Sequence, residues 1–330
     1  MTTIQQKKET LISVQDVWKA KQAIGSIIQK TPLVHSPALS NEHTNVYIKY
    51  EHLHDSGAFK MRGAVNAMLH LSEKQRSLGV TTFSTGNHGA AVALAAKKLG
   101  IRSCICVSKR VPQAKLEAIK KLGAELEISG DGQDDAEARC YELERKKGLT
   151  VIPPFDHPHV IAGQGTIALE LLEDLPQVDC VIGGLSGGGL LSGIGMVMKH
   201  TNPSIEIIGL SMEKGAAMHK SLKSGQAVTV AEHPTLADSL LGGIGKNNQY
   251  TFNMAKRYVD RSLLIPEDSI AKGMAYLYKH HHIIIEGAAA IAAGALIDRL
   301  IEPSCSEIVL ISSGCNVDLQ THAKAIQPYL

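Results

Sequence analysis

The spacing of apolar and polar residues changes period repeatedly along this chain, and each change marks an element. Behind Ser13, a serine suited to cap a helix, the spacing predicts a helix over 13–28, which Thr31-Pro32 breaks. VYIKY predicts a strand over 46–50, and KMRGAVNAML carries the apolar stripe of a helix over 60–71. A regular alternation then sets in: strand 80–84, helix 88–99, strand 103–107, helix 112–122, strand 124–128, helix 134–147, strand 149–152. A further helix runs from behind His159 to about 172. Strand 179–182, a glycine-rich turn, helix 190–200 and strand 205–210 follow. This alternation predicts parallel sheets with helices on both faces. The runs CVI and IVLIS have few alternating polar residues, as strands buried on both faces do. Ligands of such sheets bind beyond the carboxyl ends of the strands, so chemistry is expected at the strand-to-helix turns.

Length and charge narrow the picture. A chain of 330 residues makes two domains or one large α/β unit. Pro153-Pro154, followed by FDHPH, is the best crossing between lobes. A net charge of +2 provides no bulk electrostatic footprint for nucleic acid or an anionic membrane. No apolar run reaches the roughly 18–20 residues of a membrane helix, and MTTIQQKKETLIS lacks a signal-peptide core, so a cytoplasmic location is expected. Of the six cysteines, Cys104 and Cys106 fall on one face of a strand and no C-x-x-C pair exists; all read as small buried thiols.

Four turns are candidates for chemistry. In Ser56-Gly57-Ala58-Phe59-Lys60-Met61-Arg62-Gly63, a single lysine opens an apolar helix. A lysine amine forms Schiff bases, and burial lowers its pKa toward working pH; at a helix start it is also an ordinary surface charge. Ser84-Thr85-Gly86-Asn87-His88 joins a strand to a helix, and its amides and helix dipole suit a substrate carboxylate, though a plain capped turn reads the same way. His88 is as readily a structural hydrogen-bonder as a base. Gly183-Gly184-Leu185-Ser186-Gly187-Gly188-Gly189-Leu190 follows the strongest buried strand and suits a phosphate held by backbone N–H groups. The same loop nearly matches a dinucleotide fingerprint, but Glu213 arrives late for the acidic partner. Ser312-Ser313-Gly314-Cys315-Asn316 follows the strand IVLI and offers a hydroxyl to a neutral ring nitrogen. His280-His281-His282 reads as a surface cluster, and the pairs His52/His54 and His157/His159 lack a third convergent ligand.

Taken in order, these four segments resemble the fold-type II pyridoxal-phosphate enzymes, in particular the serine/threonine dehydratase group. The resemblance spans about residues 14–319. GAFKMRGA resembles the Schiff-base segment, which implies Lys60 as the cofactor-bound residue and Phe59 beside it. STGNH resembles the substrate-carboxylate loop, implying Ser84, Thr85, Gly86, Asn87 and His88 at the substrate and Asn87 at the cofactor's ring oxygen. SGGGL implies Ser186, Gly187, Gly188, Gly189 and Leu190 at the phosphate, and SGCN implies Ser313 at the pyridine nitrogen. PTLADS and EGAAA, around Ala237, Ser239 and Glu286, also resemble family segments.

The resemblance implies two open parallel-sheet lobes like those of tryptophan synthase β, with pyridoxal 5'-phosphate in the cleft between them. The large lobe would comprise 1–52 and 155–330, and the small mobile lobe 53–154. It further implies a homodimer or higher homo-oligomer acting on a small amino acid, with no nucleic acid or membrane partner. The implied reaction is β-elimination from L-threonine, L-serine, or a hydroxyectoine-derived or 3-hydroxyaspartate-type substrate, giving a keto acid and ammonia. SMEKGAAMH and PTLADSLLGGIG resemble the hydroxyectoine-utilisation dehydratase subgroup. Few residues follow Ser313, so the regulatory domain of biosynthetic threonine deaminases is not expected.

This chain departs from the family pattern in having Ala58 where serine is usual and Ser239 where glycine is usual. At 211–217, which holds Glu213, the acidic ligands with which some members hold a divalent metal are missing or shifted, so no metal is expected. Racemisation is the alternative on the same scaffold, with the Thr85 hydroxyl as the second proton donor. A nicotinamide-dependent oxidoreductase using the glycine-rich turn, or a silent amino-acid-binding protein, are competing classes.

Overall fold

The computed structural model describes residues 12–84, 86–111, 113–245, 247–302 and 304–330. Helix α1 (Val14–Ile24) begins with a reciprocal cap: the Ser13 hydroxyl accepts from the Asp16 amide, and the Asp16 carboxylate accepts from the Ser13 amide. It stops at Ile24 rather than 28. Gly25 weakens the helix there, and the amides of Ile27 and Ile28 turn back onto the Ile24 carbonyl. Strands β1 (Leu33–His35) and β2 (Asn45–Lys49) precede α2 (Lys60–Leu69) and α3 (Glu73–Leu78). The alternating stretch follows as β3 (Val80–Thr82), α4 (Asn87–Leu99), β4 (Ser103–Val107), α5 (Gln113–Lys121), β5 (Glu125–Ile128), α6 (Gln133–Lys147) and β6 (Thr150–Val151). Next come α7 (Pro158–Asp174), β7 (Cys180–Gly184), α8 (Gly189–Thr201), β8 (Glu206–Met212), α9 (Ala217–Ser224) and α10 (Thr251–Tyr258). The chain closes with β9 (Arg261–Ile265), α11 (Glu267–His281), α12 (Gly287–Ile297), β10 (Glu307–Ile311) and α13 (Leu319–Ile326).

The strands form two sheets. The larger runs β1-β2-β10-β7-β8-β9, with β1 antiparallel to β2 and every other pair parallel. The smaller runs β5-β4-β3-β6, parallel throughout. Period-two alternation sends successive residues of the large sheet to opposite faces. Val181, Ile207, Val309 and Ile311 pack with α1, α7 and α8 on one side. Cys180, Ile182, Ile208, Ile308 and Leu310 pack with α11 and α12 on the other. Both faces are therefore dry, and this is why these strands read as continuous apolar runs. In the small sheet Val80, Ile105 and Val107 face α2, α4 and α5, while Cys104 and Cys106 share the opposite face with Cys140 of α6. Among the described residues no helix is long and apolar enough to cross a membrane.

A buried ionic network anchors α2, whose first residue is Lys60. Arg62 grips the Glu51 carboxylate at 2.7 and 2.8 Å and the Glu170 carboxylate at 2.6 and 2.8 Å. Lys49, fully buried, adds a contact of 2.7 Å to Glu170. Two cations thus balance two carboxylates in a dry site, and the Arg62 charge holds Glu51 well below the usual carboxylate range against its burial. Removing either partner would leave a buried charge uncompensated, so the network pins the turn before Lys60 to α7.

Candidate active site

The turns after β3, β6, β7 and β10 meet around one cleft of about 1240 Å³. Three segments far apart in sequence are stitched together on its wall. The Phe59 amide donates to the Ser313 carbonyl at 3.0 Å, and the Cys315 amide donates to the Gly57 carbonyl at 2.9 Å. The Asn316 Nδ2 donates to the Ser56 carbonyl at 2.8 Å and to Asn87 Oδ1 at 2.6 Å. Ala58 is fully buried in the bridge to Gly314.

Lys60 projects into this cleft from the first position of α2, and its Nζ donates to the Pro154 carbonyl at 2.7 Å. Burial pulls its pKa down to about 8, against the charge of Glu286, which favours the ammonium. Such an amine releases its proton near neutral pH, as a nucleophile or base must.

Asn87, itself part of the stitched wall, opens α4 behind Gly86, which leaves the first amides of the helix without intrahelical partners. A Cβ on Gly89 would run into the Ser84 carbonyl, so the turn closes this tightly only with glycine there. Asn87 Nδ2 donates to both oxygens of Glu286, at 2.8 and 3.0 Å, and approaches Ser239 Oγ at 3.3 Å. His88 is a structural hydrogen-bonder: its Nε2–H donates to the Ile152 carbonyl at 2.8 Å. Burial, with the nearby Lys60 charge, holds its pKa down to about 3, so it is no base at neutral pH. Ser84, Gly86, Asn87 and His88 all line the cleft, whereas Thr85 lies outside the described residues.

The glycine-rich turn forms the floor. Gly188 caps α8 at φ +87°, a conformation that favours glycine. A Cβ on Gly187 would strike the Phe155 ring, and one on Gly189 would lie 3.1 Å from Phe155 Cα. Three successive residues thus leave their backbone bare at a helix N-terminus, where unpaired amides and the dipole favour an anion. Ser186, Leu190, Phe59 and Ser313 complete the same cleft.

Burial pushes the Glu286 pKa up to about 6, with Asn87 and Ser239 opposing the rise and the Asp238 charge adding to it. A folded-state pKa raised above the unfolded value of 4.5 means stability present below pH 4.5 and lost as pH rises through 6. In cofactor-free protein the loss is about 2 kcal/mol, and Glu286→Gln should abolish that slope. Urea unfolding at pH 4.5 and pH 7 checks this: an unchanged pH dependence in the variant would place the proton elsewhere.

The sequence reading missed Asn316, Phe155 and the Pro154 carbonyl. Asn316 was visible as the last residue of the SGCN motif, and Phe155 and Pro154 lay in the segment read only as a crossing between lobes. Ser239, noted as a departure from the family pattern, stands beside Asn87.

A buried lysine, a glycine cradle for an anion and a hydroxyl-bearing third turn, all on one cleft, have the donor set that pyridoxal phosphate requires. The chain belongs to the pyridoxal-phosphate dependent enzyme family, whose model matches residues 24–314. It is 42% identical over 316 residues to a putative threonine dehydratase of Sinorhizobium fredii, covering 96% of this chain and 95% of the relative. It is 36% identical over 310 residues to the L-threonine ammonia-lyase of Thermotoga maritima, covering 94% and 77%. The fold superposes on maize serine racemase with a TM-score of 0.89 at 32% identity, covering 96% of this chain and 97% of that one. The family assignment overturns the nicotinamide reading of the glycine-rich turn.

Proposed function

We propose that this chain is a lyase that removes the β-hydroxyl and the amino group of a small β-hydroxy amino acid, giving a keto acid and ammonia. The observation that carries the reading is Lys60 Nζ, set in the cleft wall on the Pro154 carbonyl with its pKa drawn to about 8. Similarity to threonine dehydratase and threonine ammonia-lyase relatives supports the reaction class.

Lys60 would hold the cofactor as a Schiff base, the amides of Gly187, Gly188, Gly189 and Leu190 its phosphate, Asn87 its ring oxygen and Ser313 its ring nitrogen. When bound, pyridoxal phosphate supplies an electron sink for the substrate's α-carbon. The chain's own groups do the rest. The first amides of α4 receive the substrate carboxylate. Once the substrate's own amine has displaced it from the Schiff base, the freed Lys60 amine would take the α-proton, for which a pKa near working pH suits it. Ser313 donates a hydroxyl where a carboxylate would instead hold a ring nitrogen protonated, and this moderates charge build-up in favour of elimination. SMEKGAAMH and PTLADSLLGGIG support including hydroxyectoine-derived hydroxy amino acids beside L-threonine and L-serine as substrates.

Incubation with L-threonine or L-serine should release keto acid and ammonia in equal amounts; no keto acid from any of these substrates would end the reading. The similarity to maize serine racemase favours racemisation as the second reading. In D2O, D-isomer formed as fast as keto acid would make racemisation the principal activity.

A further inference from the structure

At the amino-terminal edge of the large sheet, the end away from the cleft, Cys180, Glu206 and Cys305 converge. Cys180 and Glu206 are paired as the first residues of β7 and β8, and Cys305 lies in the turn before β10. One sulfur or carboxylate oxygen from each lies within 4.8 Å of the other two, and Cys305 Sγ stands 3.9 Å from Glu206 Oε2. Neighbouring groups fix this arrangement. The Asp179 carboxylate accepts from the Ser306 amide and hydroxyl and from the Glu307 amide, each at 2.9 Å, which holds the turn bearing Cys305 against the start of β7. Arg261 Nη1 donates to Glu206 Oε1 at 3.2 Å, and Oε2 is left facing the Cys305 thiol. Cys180 is fully buried, whereas Cys305 and Glu206 are partly exposed, so the cluster opens to solvent on one side.

We propose that Cys180, Cys305 and Glu206 form a site for a thiophilic divalent cation, zinc in particular, with water as the fourth ligand. Thiolates favour zinc over magnesium and calcium, which take oxygen ligands. A tetrahedral zinc, at about 2.3 Å from sulfur and about 2.1 Å from oxygen, sets a sulfur–sulfur edge of about 3.8 Å and sulfur–oxygen edges of about 3.6 Å. The three ligand atoms therefore need to close by about 1 Å at most, within reach of a rotation of the partly exposed Cys305 side chain. Binding breaks two S–H bonds and forms two S–metal bonds, and both protons leave to solvent. Burial raises both thiols, Cys305 to about 11, so it is the cation that draws out the thiolates. Two thiolates and the Glu206 carboxylate carry three negative charges, which the cation and the Arg261 guanidinium offset. A bound cation would tie β7, β8 and the approach to β10 together at the end of the sheet away from Lys60, a structural role independent of the lyase reading.

The test uses the cofactor-loaded enzyme, kept reduced by a phosphine. Equilibrium dialysis with metal analysis should find one zinc ion per chain bound with a Kd of about 10 µM or tighter. Cobalt(II), the spectroscopic probe, should give the intense bands of a tetrahedral thiolate site at longer wavelength than the cofactor absorbs, and added zinc should erase them. Cys305→Ser should remove those bands and weaken zinc binding by at least about tenfold, and Glu206→Gln should weaken it by about tenfold. Serine at the partly exposed Cys305 should leave the fold intact by circular dichroism; if it does not, Glu206→Gln carries the same test. Zinc binding weaker than the stated limit, cobalt spectra without tetrahedral thiolate bands, or zinc affinity unchanged in the folded variants overturns the proposal. Keto acid formation from L-threonine tests the lyase reading separately, since none of the three residues lines the cleft.

Discussion

Lys60→Ala will reduce keto acid formation by at least about a thousandfold, ~4 kcal/mol of barrier, and the visible absorbance of lysine-bound cofactor will disappear. The expectation follows from position and environment together. Lys60 is, among the described residues, the lysine that lines the cleft, its Nζ held on the Pro154 carbonyl at 2.7 Å, with its pKa lowered to about 8 by burial. The variant removes both the attachment point and the base. His88 cannot substitute, because its Nε2–H is committed to the Ile152 carbonyl and its pKa lies at about 3. The fold should survive: α2 is anchored by Arg62 on Glu51 and Glu170, not by Lys60, and alanine is the best helix former. Cofactor-free Lys60→Ala should therefore unfold at no lower urea concentration than cofactor-free wild type. Elimination within about tenfold of wild type would remove Lys60 from the mechanism, and loss of the folded state would give Lys60 a structural role instead.

What the sequence disclosed was set by how local each cause is. The turns after β3 and β7 were legible because a buried strand, a small-residue turn and an amphipathic helix follow one another within a few residues. Helix α3 escaped notice because none of its residues is buried, so it has no apolar stripe; its one local signal was the Ser72–Gln75 capping box. Strand β1 is three residues long, follows Pro32 and pairs on a single side, so it lacks the pattern of a buried strand. The stitching around Lys60 was illegible for another reason. Asn316 meets Asn87 across 229 residues and Ser56 across 260, and no periodicity encodes such contacts. Nothing local to KMRGAVNAML marks Arg62 for burial, yet it is among the largest fully buried side chains, because Glu51 and Glu170 arrive from other elements to neutralise it. Motif order carried the candidate site; partners of the motif residues emerge only in the folded chain.

Gly188→Val should strip the enzyme of its cofactor on dialysis, weakening retention by at least about tenfold. Two independent effects act at this position. Its φ of +87° lies where an L side chain is strained by ~1–2 kcal/mol, more for a β-branched one. A Cβ there would come within 2.7 Å of Met218 Cε and 3.3 Å of Thr251 Cβ. Met218 is long enough to yield at its tip, whereas Thr251 opens α10 and is fixed by its amide on Asp156 at 2.9 Å. The strain is therefore relieved most readily by rotating the Gly188 backbone, and that turns away the amides at the start of α8 proposed to hold the phosphate. Gly188→Ala keeps the backbone strain and the Cβ contacts but omits the branched methyls, so it should retain cofactor to an intermediate degree. Circular dichroism of the dialysed variants distinguishes cofactor loss from unfolding, since the strain amounts to a small part of a domain's stability. Unchanged retention in Gly188→Val, with the fold intact, would reduce the glycine loop to a structural turn and move the phosphate elsewhere in the cleft.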